Sequence, residues 1–483
     1  MRVQVVFLIA VMLVLQKNQE VLASESSQSA IPLTQTEQEV DNSEQDNNAL
    51  FQRVVKDVQI RFINNKGKLV DDKDQPIKGR TQKDFIIGNL KLKPGEVFSS
   101  EILEKDLQRL RRLNSLVDVQ VSWQEDDGGV NIIYDIKERK SSVNFGGGDS
   151  GDFGLYGQVG YEDTNINGLN DQLGTTVQVS GEGVQFDSQY TSPYRHGEPN
   201  RLGYSIKAFR NRDLSRTFTD DIKLANDSAV REGRFGGSIG LLKSFDDWDT
   251  AVALNYTRIS LRDRDYNVAQ VDRLGSPLSL SGTGIDDLVT VSVGLTRDER
   301  DRRENPTQGS LFTFSTEQSI PIGLGNIVRN RVRANYIQYV PVSWIGNGRK
   351  SDNPEMLAFN LQAGTTVGDF PPAEAFDLGG LNSVRGYGGG KVASGRSYGL
   401  ASVEYRFPIF QSVGGVFFAD FASDFGTSKT VLGEPGILRG KPGSGFGYGL
   451  GLRVKSPFGL LRGDLGISDQ GEVRFDITTG QRF

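Results

Sequence analysis

GGLNSVRGYGGG, residues 379–390, lies in a connection that runs from about Thr366 to Arg396 without a strand pattern of its own. It sets one charged side chain, Arg385, among glycines. Connections that long inside a compact fold are usually functional or disordered. Composition alone fits a flexible glycine-rich surface loop. Glycine also lets a loop fold tightly against a wall, which would carry Arg385 to one fixed partner.

On both sides of this loop the chain reads as short alternating segments. Approximate strands fall at 142–148, 153–162, 173–181, 184–192, 201–209, 232–243, 248–262, 287–297, 309–319, 329–342, 355–366, 397–408, 415–421, 445–455, 459–466 and 472–483, sixteen in all. Many are close to the ~9 to 11 residues that a tilted membrane strand requires. The connections alternate in length: 210–231, 263–286, 367–396 and 422–444 are long, whereas 244–247, 409–414 and 456–458 are short. Bacterial outer-membrane barrels show that asymmetry and an even strand number. A closed barrel also leaves no unpaired edge in lipid, so the first and last strands are expected to pair. Both contain glycine, at Gly146-Gly147-Gly148 and at Gly480, which weakens a strand or shapes a bend.

The faces of these strands sort by chemistry. In the last one, Val473, Phe475, Ile477 and Phe483 share one side, and Arg474, Asp476, Thr478 and Arg482 the other. Lipid outside and a polar lumen inside produce that pattern. At 397–408, Ala401, Val403, Tyr405 and Phe407 alternate with Ser402, Glu404 and Arg406; in the next strand Phe417, Ala419 and Phe421 alternate with Asp420. Glu404 and Asp420 are therefore expected in the lumen, either as hydrated wall residues or as partners for a cation. Glu404 also has Arg406 within local reach.

The first 140 residues differ. Arg2 precedes an apolar run through Leu15, too short for a membrane helix at ~20 residues, and Val21-Leu22-Ala23 supplies a small-residue cleavage site; residues 1–23 read as a signal peptide. Residues 24–50 are almost entirely polar and bury too little to order themselves, so they read as a disordered spacer. From residue 51 a small α+β domain extends to 139. Its first strand is marked by Val58, Ile60 and Phe62, a short helix fits 81–90, and Ser99 or Ser100 caps a second helix with Ile102, Leu103, Leu107, Leu110 and Leu113 at helical spacing. Two strands around Val117–Trp123 and Val130–Tyr134 flank the turn Asp126-Asp127-Gly128-Gly129.

The composition narrows the function. The sequence has no Cys, which excludes disulfides and thiolate metal sites, and a single His, His196, in a turn-like stretch. No nucleophile with a base emerges, so no catalytic or metal residue is assigned, no cofactor is implied, and an enzyme is not expected. The net charge of -6 argues against nucleic acid as a partner.

Several of these stretches carry a resemblance. Val384-Arg385-Gly386-Tyr387 after Gly-Gly, the small-domain phrases LKPGEVFSSEILEKDLQRL and LVDVQVSWQEDDGGVNIIYDIKER, the strands ASVEYRFPIF and GVFFADFA, and the terminal RFDITTGQRF resemble the POTRA-domain outer-membrane β-barrel superfamily, the BamA/TamA-like surface antigen family of assembly factors and secretion pores. The resemblance implies a mainly β fold, a 16-stranded antiparallel transmembrane β-barrel over 140–483 preceded by one POTRA domain over 51–139. It implies that the loop folds into the lumen and that Arg385 pairs with Asp420, with Glu404 near. It implies a C-terminal β-signal comprising Phe475, Ile477, Gly480 and Phe483. It places the barrel in the outer membrane and the POTRA domain in the periplasm, where that domain would bind extended clients by adding a strand to a sheet edge. The implied partners are unfolded outer-membrane or secreted proteins, periplasmic or accessory subunits, and outer-membrane lipid. The implied role is insertion of barrel proteins; the alternatives are a polypeptide-secretion or passive pore of the same superfamily, or an anchor displaying surface loops. Three departures stand out: one POTRA domain is fewer than the principal assembly factors have, the connection from Asn64 to Gly79 between the first strand and first helix is longer than usual, and Glu304-Asn305-Pro306 replaces the family's usual Arg-Asp-Asn-Pro turn.

Overall fold

The computed structural model describes residues 53–483 apart from 127, 151–153, 182, 196–200, 219–221, 246, 303–304, 346–353, 427–439 and 457–458. The expected signal peptide, the polar spacer and His196 lie outside the described residues. The chain divides into two compact units, split between Glu138 and Arg139.

The first unit runs β1 (Val55–Phe62), α1 (Lys83–Gly88), α2 (Ser100–Arg111), β2 (Leu116–Asp126) and β3 (Gly129–Glu138). Its sheet is ordered β1-β3-β2, with β1 parallel and β2 antiparallel to the central β3. The apolar stripe of α2, Leu103, Leu107 and Leu110, packs into one core with Val58, Ile60, Phe62, Val119, Ile132, Tyr134 and Ile136. Ser99 caps α2 by accepting a hydrogen bond from the Ile102 amide. Buried Asp106 accepts from the Lys91 and Leu92 amides and from Arg109, which fixes the chain between the helices. Burial pushes the Tyr134 phenol well above its usual range. This is the expected β-α-α-β-β order, with α1 shorter than 81–90.

The second unit is one antiparallel sheet of sixteen strands in sequence order. They are β4 (Ser142–Ser150), β5 (Gly154–Asp163), β6 (Gln172–Ser180), β7 (Gly183–Ser192), β8 (Gly203–Leu214), β9 (Arg231–Phe245), β10 (Trp248–Arg262), β11 (Ile285–Asp298), β12 (Gly309–Ile320), β13 (Arg329–Pro341) and β14 (Met356–Gly368). After a small hairpin of β15 (Phe376–Leu378) and β16 (Ala393–Gly395) come β17 (Ser397–Phe410), β18 (Val413–Ser423), β19 (Ser444–Ser456), β20 (Gly459–Ser468) and β21 (Val473–Thr479). The connections at 215–230, 263–284, 369–396 and 424–443 share the long-loop end.

Alternation decides which face meets lipid. Leu254, Ile239, Phe417, Leu450, Leu465, Phe475 and Ile477 are exposed on the outward side, while Glu404, Asp420, Arg453 and Asp464 are buried on the inward side. Along β9 the outward face runs ten steps from Phe235 to Phe245, about 25 Å at ~3.3 Å per residue and ~40° tilt, the height of a lipid-facing band. Aromatic contacts mark both rims: Phe235 with Tyr256 at the loop end, and Trp248 with Phe312 at the other.

Two expectations about the end of the sheet are corrected. β21 stops at Thr479 rather than running to 483, because Gly480 takes φ +81° and turns the chain. Phe483 consequently leaves the lipid face assigned to it and packs inward against the cluster of Ile337, Tyr339, Met356 and Ala358. In addition, β4 and β21 are the two edges of the sheet, with no ladder between them among the described residues. The bend at Gly480 removes the length of β21 that would have extended such a ladder.

The band makes a prediction. Leu254→Arg, outward between Ile239 and Val291, should lower unfolding stability in lipid vesicles by about 2–4 kcal/mol. Thr257→Arg, on the inward face of the same strand, should cost clearly less in the same urea titration.

Candidate functional site

The loop at 369–396 is held inside the curve of the sheet by contacts with strands as far apart as β9, β13, β17, β18 and β20. The β15–β16 hairpin closes its base, pairing Phe376 with Gly395 and Leu378 with Ala393. Beyond it, Val384 and Tyr387 bury with Leu378, Val392, Leu400 and Ala422 in a small apolar cluster.

Arg385 is 1% exposed. Its Nε and Nη2 donate to the two carboxylate oxygens of Asp420 at 2.8 and 3.0 Å, and its Nη1 donates to Glu404 at 2.7 Å. Its own amide also donates to Asp420 at 3.1 Å, and Asp464 stands 3.4 Å from Nη1. The Phe418 ring lies under the guanidinium at 3.5 Å. Planar, bidentate geometry of this kind is specific to Arg. The structure thus brings Arg385, Asp420 and Glu404 together as one cluster, and adds Asp464, which sequence reasoning did not name.

Glycine permits the approach on both surfaces. Gly386 has φ +93°, and a side chain there would meet the β20 backbone at Ser468 N within 2.6 Å. On the wall, a Cβ at Gly447 would lie 1.9 Å from the Arg385 carbonyl. Val384 is fully buried, and the Tyr387 hydroxyl donates to Asp469.

The cluster extends along the wall. Arg406 donates to Glu404 at 2.9 Å, and Arg453 to Asp464 at 2.6 Å. From the chain terminus, Arg482 donates to Asp420 at 2.6 Å and to the Ser383 carbonyl at 2.5 Å, tying the tail to the loop. Of the assigned terminal residues, Phe475 and Ile477 stay on β21, Gly480 makes the bend, and Phe483 sits beside Arg406, whose Nη2 donates to its carbonyl at 3.3 Å.

A second clasp lies at the loop's start and was not foreseen. Glu374 accepts from Arg234 at 2.5 Å, Arg329 at 2.9 Å and Arg331 at 3.1 Å. Burial opposes ionisation of Glu374, but the guanidiniums of Arg234, Arg329 and Arg331 outweigh it and hold the carboxyl down at about 2. A cap closes over this region: Phe218, Ile222 and Leu224 pack on Ile259, Leu261, Leu278 and Ala373. Thr217 donates to Asp377 at 3.1 Å, and Lys441 donates to the Arg216 carbonyl at 2.7 Å.

The arrangement is a set of ion pairs and close backbone contacts that holds a loop. Arg385→Ala would leave Asp420 and Glu404 undercompensated, a loss of about 3–5 kcal/mol for a buried pair. It should expose 379–392 to protease while the strands stay folded, and Arg385→Lys should restore little of the protection because it cannot fork to Asp420.

Comparison with known proteins gives consistent matches. Residues 165–483 match the Omp85 superfamily domain, and residues 73–139 match the surface antigen variable number repeat, a POTRA model. The chain is 33% identical over 441 residues to outer envelope protein 80, chloroplastic, of Arabidopsis thaliana, covering 89% of this chain and 57% of that protein. It is 26% identical to protein TOC75-3, chloroplastic, of the same plant, over 84% of this chain and 54% of that one. The chain therefore spans little more than half the length of these relatives. In fold it is similar to BamA from Haemophilus ducreyi lacking POTRA domains 1–3, with a TM-score of 0.54 at 20% identity, covering 88% of this chain and 84% of that one.

Proposed function

The chain belongs to the Omp85 superfamily, and from that premise we propose that it is an outer-membrane factor that inserts or translocates other proteins, with insertion of barrel proteins as its specific task. One observation carries the reading. The sheet ends in two edge strands, β4 and β21, and a loop clasped at Arg385 and Glu374 lies inside its curve. In lipid an unpaired strand edge leaves backbone N–H and C=O groups without partners, at a cost of several kcal/mol each. A client strand that pairs with such an edge relieves that cost, so the edge favours nascent strands over water-filled conduction. The clasped loop supports the same choice, because it occupies the space a passive pore would leave open.

The first unit takes the client earlier. Its sheet has β1 and β2 at the edges; residues 95–98 already pair with the start of β1, so β2 is the edge to which an extended peptide can add through backbone hydrogen bonds without a fixed sequence. On this reading the unit lies in the periplasm, the clients are unfolded barrel proteins, and no covalent step occurs.

Depletion of the protein followed by quantitative profiling of outer-membrane barrels tests the proposal. A broad fall in many barrel proteins is expected, with Arg385→Ala failing to restore them. Unchanged barrel levels would overturn general insertion and leave a pore or a transporter for one client.

A further inference from the structure

The outward face of the barrel unit is chemically lopsided. On β12 to β14 and β17 to β21 the register places Phe314, Val332, Ala363, Ala401, Phe421, Phe446, Ile467 and Val473 outward, and none of the outward positions of these strands is Lys, Arg, Asp or Glu. On β8 to β10 the same face carries five arginines, all at the long-loop end. One row reads Phe186, Arg210, Phe235, Arg258 and Asp287 across five neighbouring strands. Arg212 stands one outward position nearer the loops on β8, and Arg231 and Arg262 face each other two positions beyond the row.

Local acids balance part of this charge. Asp287 accepts from Arg258 at 2.7 and 2.9 Å. Asp263 accepts from the amides of Asp265 and Asn267; burial pushes its carboxyl up, and those hydrogen bonds together with Arg231 outweigh it and hold it below its usual range. Asp265 lies 3.8 Å from Arg264. Arg262 donates to Ser260 and to the Tyr266 carbonyl, and Arg212 lies 4.2 Å over the Tyr266 ring. Arg210 is exposed, and neither it nor Arg262 has a carboxylate partner among the described residues.

Position supplies the rest. Two rows toward the other rim, the same face is Ile206, Ile239 and Leu254, all exposed and apolar. The arginines therefore begin where the lipid-facing band ends, the depth of headgroups. Guanidinium forks match phosphate oxygens, and arginine is weakly hydrated enough to act at such a boundary. Two strand spacings separate Arg210 from Arg258, about 10 Å at ~4.8 Å each, with the Phe235 ring of β9 between them. The Arg258 guanidinium lies 6.0 Å from that ring. The row thus offers cations to a headgroup and an apolar ring to the acyl chain beneath it.

We propose that the outward face of β8 to β10 at the long-loop rim is a docking site for the phosphate headgroups of anionic lipid. It fixes such lipid on one sector of the barrel, while the uncharged sector from β12 to β21 has no headgroup preference. The site is independent of the insertion reading and of the lumenal clasps.

The full chain, reconstituted in phosphatidylcholine bilayers containing phosphatidylglycerol, is extracted in mild detergent, and the retained lipid is quantified by native mass spectrometry. Wild type is expected to retain phosphatidylglycerol over phosphatidylcholine by roughly fivefold or more, since one basic residue near an anionic surface contributes about that factor. Arg210→Gln with Arg262→Gln should bring the ratio close to one, and the matching Lys variants should keep most of it. Heat-modifiable gel mobility reports folding; if the double variant does not fold, Arg210→Gln alone, on an exposed side chain, carries the comparison. Equal retention of the two lipids by wild type, or an unchanged ratio in a folded Gln variant, would overturn the site. Loss of the wild-type preference when millimolar inorganic phosphate is added would reassign it to soluble anions.

Discussion

A guanidinium sealed from solvent is tolerated only where carboxylates surround it, and the Arg385 cluster meets that demand with residues from several strands. Taking any of these charges out of water costs several kcal/mol, which the mutual attraction offsets only with close, saturated geometry. Asp420 on β18, Glu404 on β17 and Asp464 on β20 supply the anions, and the bidentate pair to Asp420 sets the orientation. The position of the loop, the glycines at 386 and 447 that let it touch the wall, and the inward turn of the tail at Arg482 all follow from completing that cluster.

The same strands answer two solvents at once. On β17, β18 and β20 every second residue faces outward and is uncharged, and every intervening one faces a lumen where charge is allowed if paired. Tyr405 and Phe417 stand outward beside Glu404 and Asp420. A shift of one residue in register would expose the carboxylates to lipid and bury the rings against Arg385. Membrane residence and loop anchorage are therefore specified by a single alternation, which is why the two cannot vary independently along β17 and β18.

Much of this was legible before the structure. Sixteen strands could be placed because alternation and turn residues are local signals, and Arg385, Glu404 and Asp420 could be brought together because motif resemblance named them. Glu374 could not, since its partners sit on β9 and β13, 43 to 140 positions away, and nothing local distinguishes a clasp from a solvated loop acid. The inward-facing row Arg329, Arg331 and Arg333 on β13 was the available hint: three cations on a lumen wall ask for anions from elsewhere. The tail misled for a related reason. Phe483 continues the alternation of Val473, Phe475 and Ile477 on paper, but Gly480 adopts a left-handed conformation and Arg482 finds Asp420, so a tertiary ion pair overrides a two-residue period. The cap of Phe218, Leu224 and Leu278 over Leu261 was not legible because its residues are scattered through two loops and the end of β10 without a shared periodicity.

Arg385 and Asp420 act as one unit. A double-mutant cycle measures it directly: Arg385→Ala, Asp420→Ala and the pair of substitutions together, each scored by the protection of 379–392 from protease in the reconstituted full chain. If the two side chains form the clasp, the effects are strongly non-additive, and the double variant is no worse than the more damaging single one. Additive losses would mean that each residue acts through other partners, and the lumenal clasp would no longer explain how the loop is held.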